Sequence, residues 1–235
     1  MIQQLLNWSP VSPQPRPRGP KPTPVHPDQI LDAAQSVFSR LGVRGASLRA
    51  IAREVGCDPA LIYYHFEHKE ALFEALLDRH FPAMHQALDA LAKPSDLRPT
   101  ALRIWEVLTI YQQRLAGAPG LRSMVRGEIV QGAAGLQNLI EKRIRPILMA
   151  VRQILTQGIA RGELRGDLDP TLATFFLLRM QLEILDWLPV VLPRLESVTP
   201  DEAMRRGMQA WFTLYWRGIA MAPLAPVPPL PDPTR

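Results

Sequence analysis

Between Asp28 and Ala222 the apolar residues of this chain recur at three- and four-residue steps and never settle into the two-residue alternation of a strand. No Asn-Gly hairpin signal interrupts the pattern, so the body is expected to be all-α. Proline marks its limits. Of 24 prolines, 8 fall in residues 1–27 and 6 in residues 223–235. Proline breaks helices and biases its predecessor towards extended geometry, so both ends are expected to be extended and mobile. Within the body a first helix runs from about Asp28 to Leu41 on the stripe Ile30, Leu31, Ala34, Val37, Phe38, Leu41, and Gly42 stops it. Two short helices (about 47–54 and 59–65) and a longer one starting near His68 follow. Further apolar periods cover about 98–116, 120–132, 136–160, 170–193 and 200–220, each bounded by Gly or Pro. Pro82 falls inside the longer helix and is expected to kink or break it after His80, giving a bent connector.

At 235 residues one or two domains are expected. Hydrophobic residues at 47% and charged residues at 21% are an ordinary globular balance, neither disordered nor fibrous. Cys57 stands alone, which excludes an intrachain disulfide and a Cys-rich zinc site and fits a reducing compartment. The longest stretch free of Asp, Glu, Lys and Arg is Met1 to Pro15, polar and proline-bearing, whereas a membrane span needs roughly 20 mostly apolar residues. The arginines follow that stretch rather than precede it, so no export signal is expected and the chain reads as soluble and cytoplasmic. Enzyme signatures are missing: there is no GxSxG, phosphate-cradling Gly-rich loop, HExxH or Rossmann fingerprint. His65 with His68, or His80 with His85, makes at most a partial metal site, so neither metal nor cofactor is expected. Net charge is +5, and the window Arg16 to Arg53 carries seven basic residues against Asp28 and Asp32, a balance that suits phosphates.

Function concentrates between Ser47 and Phe66. Ser47 can cap a helix whose buried stripe is Leu48, Ile51, Ala52 and Val55. Gly56 ends it with a backbone able to take positive φ, Asp58 opens the next helix, and Pro59 sits where its missing N–H costs nothing. Two helices of seven or eight residues joined by a tight turn match the helix-turn-helix, whose second helix enters the major groove. Helices so short need buttressing, here from the first helix and from Phe66 turning back into the core.

The run Ser47-Leu-Arg-Ala-Ile-Ala-Arg-Glu-Val-Gly-Cys-Asp-Pro-Ala-Leu-Ile-Tyr-Tyr-His-Phe, followed by Glu67-His-Lys-Glu-Ala-Leu-Phe, closely resembles the DNA-binding domain of TetR-family transcriptional regulators over about residues 26–80. The resemblance implies a three-helix DNA-binding domain plus a larger helical domain for ligand binding and dimerisation, with double-stranded operator DNA, a second copy of the chain and a small-molecule effector as partners. It places Pro59, Ala60, Leu61 and Tyr64 towards base edges, and Ser47, Arg49, Tyr63, His65 and Lys69 towards phosphates. Pro59 and Leu61 depart from a pattern that is often polar, so base hydrogen bonds are not expected from them. The organisation is then a Pro/Arg-rich arm over 1–25, whose Arg16, Arg18 and Lys21 can reach the minor groove, the DNA-binding domain over 26–80, an effector and dimerisation domain over 81–222, and a proline-rich tail over 223–235.

In the larger domain the segment Leu172 to Leu192 is apolar nearly all round and must bury more than one face. The resemblance implies that with the last helix it forms a dimeric four-helix bundle, here through Phe175, Trp187, Met208, Trp211 and Tyr215. Large or pliable side chains at Trp105, Tyr111, Met124, Met149, Phe176 and Met180 are the candidate effector pocket, with Glu128, Arg152 and Glu183 as polar anchors. An alternative is a redox- or ligand-sensing activator using Cys57, whose position beside a helix start can lower a thiol pKa.

Overall fold

The computed structural model describes residues 25–116, 118–131 and 136–221. The basic arm and the proline-rich tail lie outside the described residues. The helices are α1 (Pro27–Gly45), α2 (Leu48–Val55), α3 (Pro59–His65), α4 (Lys69–Ala92), α5 (Thr100–Ala116), α6 (Pro119–Gln131), α7 (Leu136–Leu139), a π-helical turn (Ile140–Ile144), α8 (Arg145–Ala160), α9 (Pro170–Leu195) and α10 (Pro200–Ile219). Six of them start on a side chain that accepts from a free N–H of the first turn: His26, Ser47, Asp58, His68, Asp169 and Thr199. Among the described residues there is no strand, and no helix is long and apolar enough to cross a membrane.

The boundaries expected from glycine and proline are found. Gly42 takes φ 69° and breaks α1, which resumes for a last turn to Gly45. Gly56 takes φ 78° at the end of α2, as the tight turn requires. The first four helices share a core of Ile30, Val37, Phe38, Ile51, Ile62, Leu72 and Leu76, with Phe38 meeting Phe73 edge to face at 6.3 Å. Arg40 forks onto Glu54, its Nη2 lying 2.8 Å from Oε2, and so holds α1 to α2.

Of the kink or break expected at Pro82, no break occurs: α4 continues through it to Ala92. Proline costs the helix the bond that Asp78's carbonyl would accept. Both Pro82 and Asp78 are exposed, so water can solvate that carbonyl, while Phe81, Met84 and Leu88 keep the opposite face buried. The gap is also braced from outside. Arg143, in the π-helical turn, reaches Glu74 and Asp78 at 3.2 and 2.6 Å, and its own carbonyl accepts from His85 Nε2 at 2.9 Å. The brace therefore spans the proline.

Helices α9 and α10 run antiparallel across the short Glu196–Thr199 link, and Tyr215 Oη donates to the Ala173 carbonyl at 3.0 Å. The loop after α8 is pinned to the end of α10, where the Arg165 and Met221 N–H groups donate to the Ile219 and Glu163 carbonyls. Helix α9 buries Ala173, Leu177, Leu178, Ile184 and Leu185 and leaves Leu172, Phe176, Trp187 and Val190 exposed, so within one chain only one of its faces is covered.

Arg103 is fully buried, with Nε and Nη2 donating to the Leu91 carbonyl at 3.0 and 2.6 Å and Nη2 also to Gln157 Oε1 at 2.7 Å. It closes the C-terminal end of α4, whose carbonyls have no helical partner. Replacing it with Met strands that carbonyl in the core. Arg103→Met is expected to cost about 3 kcal/mol, measured as a lower urea midpoint at unchanged slope.

Candidate nucleic-acid interface

Helix α3 has only seven residues, too few to persist unaided. Its ends are fixed by Asp58 Oδ1, which accepts from the Ala60 N–H at 2.8 Å, and by Phe66, whose N–H returns to the Ile62 carbonyl at 2.8 Å. Phe66 leaves the helix in extended geometry and packs on the core, as expected. Ile62 alone is fully buried. Everything else on the helix faces outward or sideways: Ala60 is exposed, Pro59 and Leu61 are half-buried, Tyr63 is 55% exposed and Tyr64 is 82% exposed. The half-buried His65 ring meets Tyr64 edge to face at 5.1 Å. An isolated surface tyrosine is unremarkable, but two adjacent ones on a capped mini-helix form a preorganised apolar and hydrogen-bonding edge.

Ser47 and Arg49 are exposed at the start of α2, and Ser47 Oγ accepts from the Ala50 N–H at 3.2 Å. Arg44, Arg49 and Arg53 are exposed and make no ion pair among the described residues, so their charges are available to an anion. The nine residues expected at the interface thus lie on the start of α2, on α3 and at the start of α4, all at least partly accessible.

Lys69 has a structural task that its sequence position does not reveal. Its ammonium donates to the Arg44 carbonyl at 2.9 Å and the Ala46 carbonyl at 3.4 Å, tying the start of α4 to the link between α1 and α2. Close by lies Glu128 of α6, buried and pushed above the usual carboxylate range by that burial against the pull of Arg44 and Lys69. Cys57 is half-buried, and burial together with Asp58 raises its thiol pKa. A protonated thiol is a poor redox trigger, which argues against the sensing alternative.

The larger half holds a cavity of about 370 Å3 enclosed by α4, α5, α6, α8 and α9. Of the six residues expected there, only Tyr111 lines it. Trp105 is buried against Phe212 at a ring distance of 5.0 Å, and Met124 is buried without reaching the cavity wall. Met149, Phe176 and Met180 point outward from α8 and α9 and are exposed. The supposed polar anchors fare no better: Glu128 lies outside the lining, Arg152 donates to Thr171, and Glu183 pairs with Arg179. The polar lining is instead Tyr111, Arg122, Arg126 and Arg179. Those arginines escape a search for large apolar side chains. Two of the five interface candidates are used within the protomer: Met208 packs against Gln181, and Tyr215 is bonded to Ala173. Trp211 is half-buried, whereas Phe175 and Trp187 are exposed.

A capped helix-turn-helix with an exposed second helix, joined to a larger helical body with its own cavity, defines a DNA-binding transcriptional regulator. Residues 30–76 match the family described as bacterial regulatory proteins, tetR family. The chain is similar to the fatty acid metabolism regulator protein of Bacillus subtilis (strain 168), 28% identical over 146 residues that span 62% of this chain and 74% of the relative. Its fold is similar to that of the ketosteroid transcriptional regulator KstR2 of Mycobacterium tuberculosis (TM-score 0.67, 20% identity, 84% of this chain and 96% of the other). It is similar too to SmeT, the repressor of the Stenotrophomonas maltophilia multidrug efflux pump SmeDEF (TM-score 0.65, 22% identity, 89% of this chain and 97% of the other), and to the SmeT–triclosan complex (TM-score 0.66, 23% identity, 88% and 97%). Residues 30–76 therefore carry a DNA-binding domain of the tetR family of bacterial regulatory proteins.

Lys69→Met should lower stability by about 1 kcal/mol, since two backbone carbonyls lose a charged donor. The check is a denaturant titration beside a DNA-binding titration. A variant with weakened DNA binding and unchanged stability would assign Lys69 to phosphate alone.

Proposed function

We propose that two copies of this chain form a repressor that binds a near-palindromic operator and is released by a small molecule. The observation that carries the reading is the exposure of the α3 edge, Tyr63 and Tyr64 above all, on a helix anchored by the buried Ile62. Pro59, Ala60, Leu61 and Tyr64 face the bases, where Ala60 and Leu61 suit thymine methyl groups. Ser47, Arg49, Tyr63 and His65 meet phosphates, with Lys69 holding the frame and offering its remaining proton. The division of labour follows the chain: residues 26–80 read DNA, 81–222 bind effector and partner copy, and the arm over 1–25 adds charge along the minor groove. In a C2 dimer the two α3 helices enter successive major grooves about 34–36 Å apart. Such a regulator works in the bacterial cytoplasm, at the nucleoid when bound.

Dimerisation is supported by the uncovered face of α9, where Phe176 is 58% and Trp187 is 59% exposed in the single chain, with Leu172 and Val190 beside them. An apolar patch of this kind, rimmed by the Arg179–Glu183 pair and Arg194, marks a protein contact. Phe175, Trp187 and the half-buried Trp211 remain in the proposed interface, while Met208 and Tyr215 support it from behind. Effector control is supported by the cavity, which is lined by Phe81 and Met84 of α4 and by Val125 and Ile129 of α6. Both helices also pack on α1, so an occupant that favours one arrangement shifts the spacing of the paired α3 helices. SmeT held with triclosan shows a neighbour in fold carrying a small molecule.

Operator fragments selected from genomic DNA give the substrate for two tests. Tyr64→Ala should reduce the preference for operator over random DNA by about tenfold, whereas Arg49→Ala should weaken both and lower the salt slope by about 1. Identical effects from the two variants would remove the division between base and phosphate contacts. Separately, Trp187→Glu should convert the dimer to monomers in sedimentation velocity with helical content retained, and a dimer of undiminished stability would place the interface elsewhere.

A further inference from the structure

The cavity between α4, α5, α6, α8 and α9 has a lopsided lining. Thirteen of its seventeen residues are apolar, and the other four are Tyr111, Arg122, Arg126 and Arg179, with no carboxylate among them. The acids that answer these arginines stand behind the wall. Asp186 receives Arg122 Nε at 2.7 Å and also pairs with Arg126, while Glu183 receives Arg179 at 2.7 Å. Three guanidiniums against two carboxylates leave one positive charge at an apolar pocket. Tyr111 is 8% exposed and lines the cavity. Burial pushes that phenol up to about 12 while the charge of Arg179 pulls the other way, so the hydroxyl stays a donor and the guanidinium acts on it. An apolar cavity whose polar lining is one phenol and three guanidiniums offers donors and positive charge and no acceptor, which suits an anionic head group.

From this geometry we infer that the effector is a small monoanionic amphiphile, an organic carboxylate whose apolar body fills the cavity and whose head accepts from Arg179, Arg126 and the Tyr111 hydroxyl. The inference rests on the cavity being the effector site. A volume of about 370 Å3 leaves room for roughly a dozen heavy atoms at about 30 Å3 each, which sets the scale of the body. A more open recess of about 650 Å3 between α5, α6, α9 and α10 borders Arg122 and Arg126 but not Arg179, and Asp186 and Asp201 lie in its wall and disfavour an anion there.

The test uses the full chain on operator DNA with three probes of one length, decanoate, decan-1-ol and decylamine, read by melting temperature and by release from DNA. Decanoate should bind at least tenfold more tightly than decanol, and decylamine least. Arg179→Gln and Tyr111→Phe should each weaken decanoate by about tenfold, as loss of a charged hydrogen bond implies, and leave decanol unchanged. Decanol binding as tightly as decanoate, or equal losses for both probes in Arg179→Gln, would overturn the assigned class while leaving the cavity as the effector site. Leu182→Trp, with Leu148→Trp should the first fail to fold, fills the cavity and should abolish binding of every probe. Probes that bind these filled variants unchanged, or no binding by any probe to the native chain, would overturn the cavity reading as well.

Discussion

The burial of Ile62 is the constraint on which the DNA-reading end depends. Helix α3 cannot persist on its own hydrogen bonds, and Ile62 is its one fully buried side chain. Fixing that residue in the core shared with α2 sets the rotation of the whole helix, because every other position is then fixed at 100° steps around the axis. The tyrosines at 63 and 64 face outward for this reason. The caps at Asp58 and Phe66 fix where the helix starts and stops, and the αL residue Gly56 fixes the angle at which it leaves α2. A rigid reader follows from one anchor, two caps and one glycine.

The two halves of the molecule meet through α4 and α6. Helix α4 begins beside Lys69, whose ammonium holds the carbonyls of Arg44 and Ala46, and continues past Phe81 and Met84 into the cavity wall. Helix α6 has one side on the cavity through Val125 and Ile129 and another on α1. It comes so close there that Ser39 occupies the space a side chain at Gly120 would need. Glu128 sits at that second contact, buried with the Arg44 and Lys69 charges nearby. Both helices therefore join the cavity wall to the DNA-reading end by direct packing.

Much of this was legible in the sequence, because punctuation residues act locally. Gly42, Gly56, Pro59, Pro170 and Pro200 impose backbone geometry whatever surrounds them: Gly42 interrupts α1, Gly56 ends α2, and the prolines open α3, α9 and α10. What stayed hidden depends on partners distant in the chain. Pro82 reads as a breaker until Arg143 and His85 are seen astride it. The period through 136–160 conceals the π-helical turn at Ile140–Ile144, since the apolar pattern tolerates one extra residue per turn. Tyr215 and Met208 are apolar enough for an interface, yet Ala173 and Gln181, on the neighbouring helix, claim them. The cavity was mislocated for a similar reason. Large flexible side chains such as Phe176 and Met180 can point either way from α9, and only packing decides it.

The Arg143 brace across Pro82 has a further mechanical meaning. A rod with one rung missing is most compliant at that rung, and here the stiffness is borrowed from a different part of the chain. The lending segment carries Ile144, a wall residue of the cavity, next to Arg143 itself. The stiffness of α4 at its weakest point thus rests on a neighbouring segment that also forms part of the cavity wall, and not on its own sequence alone.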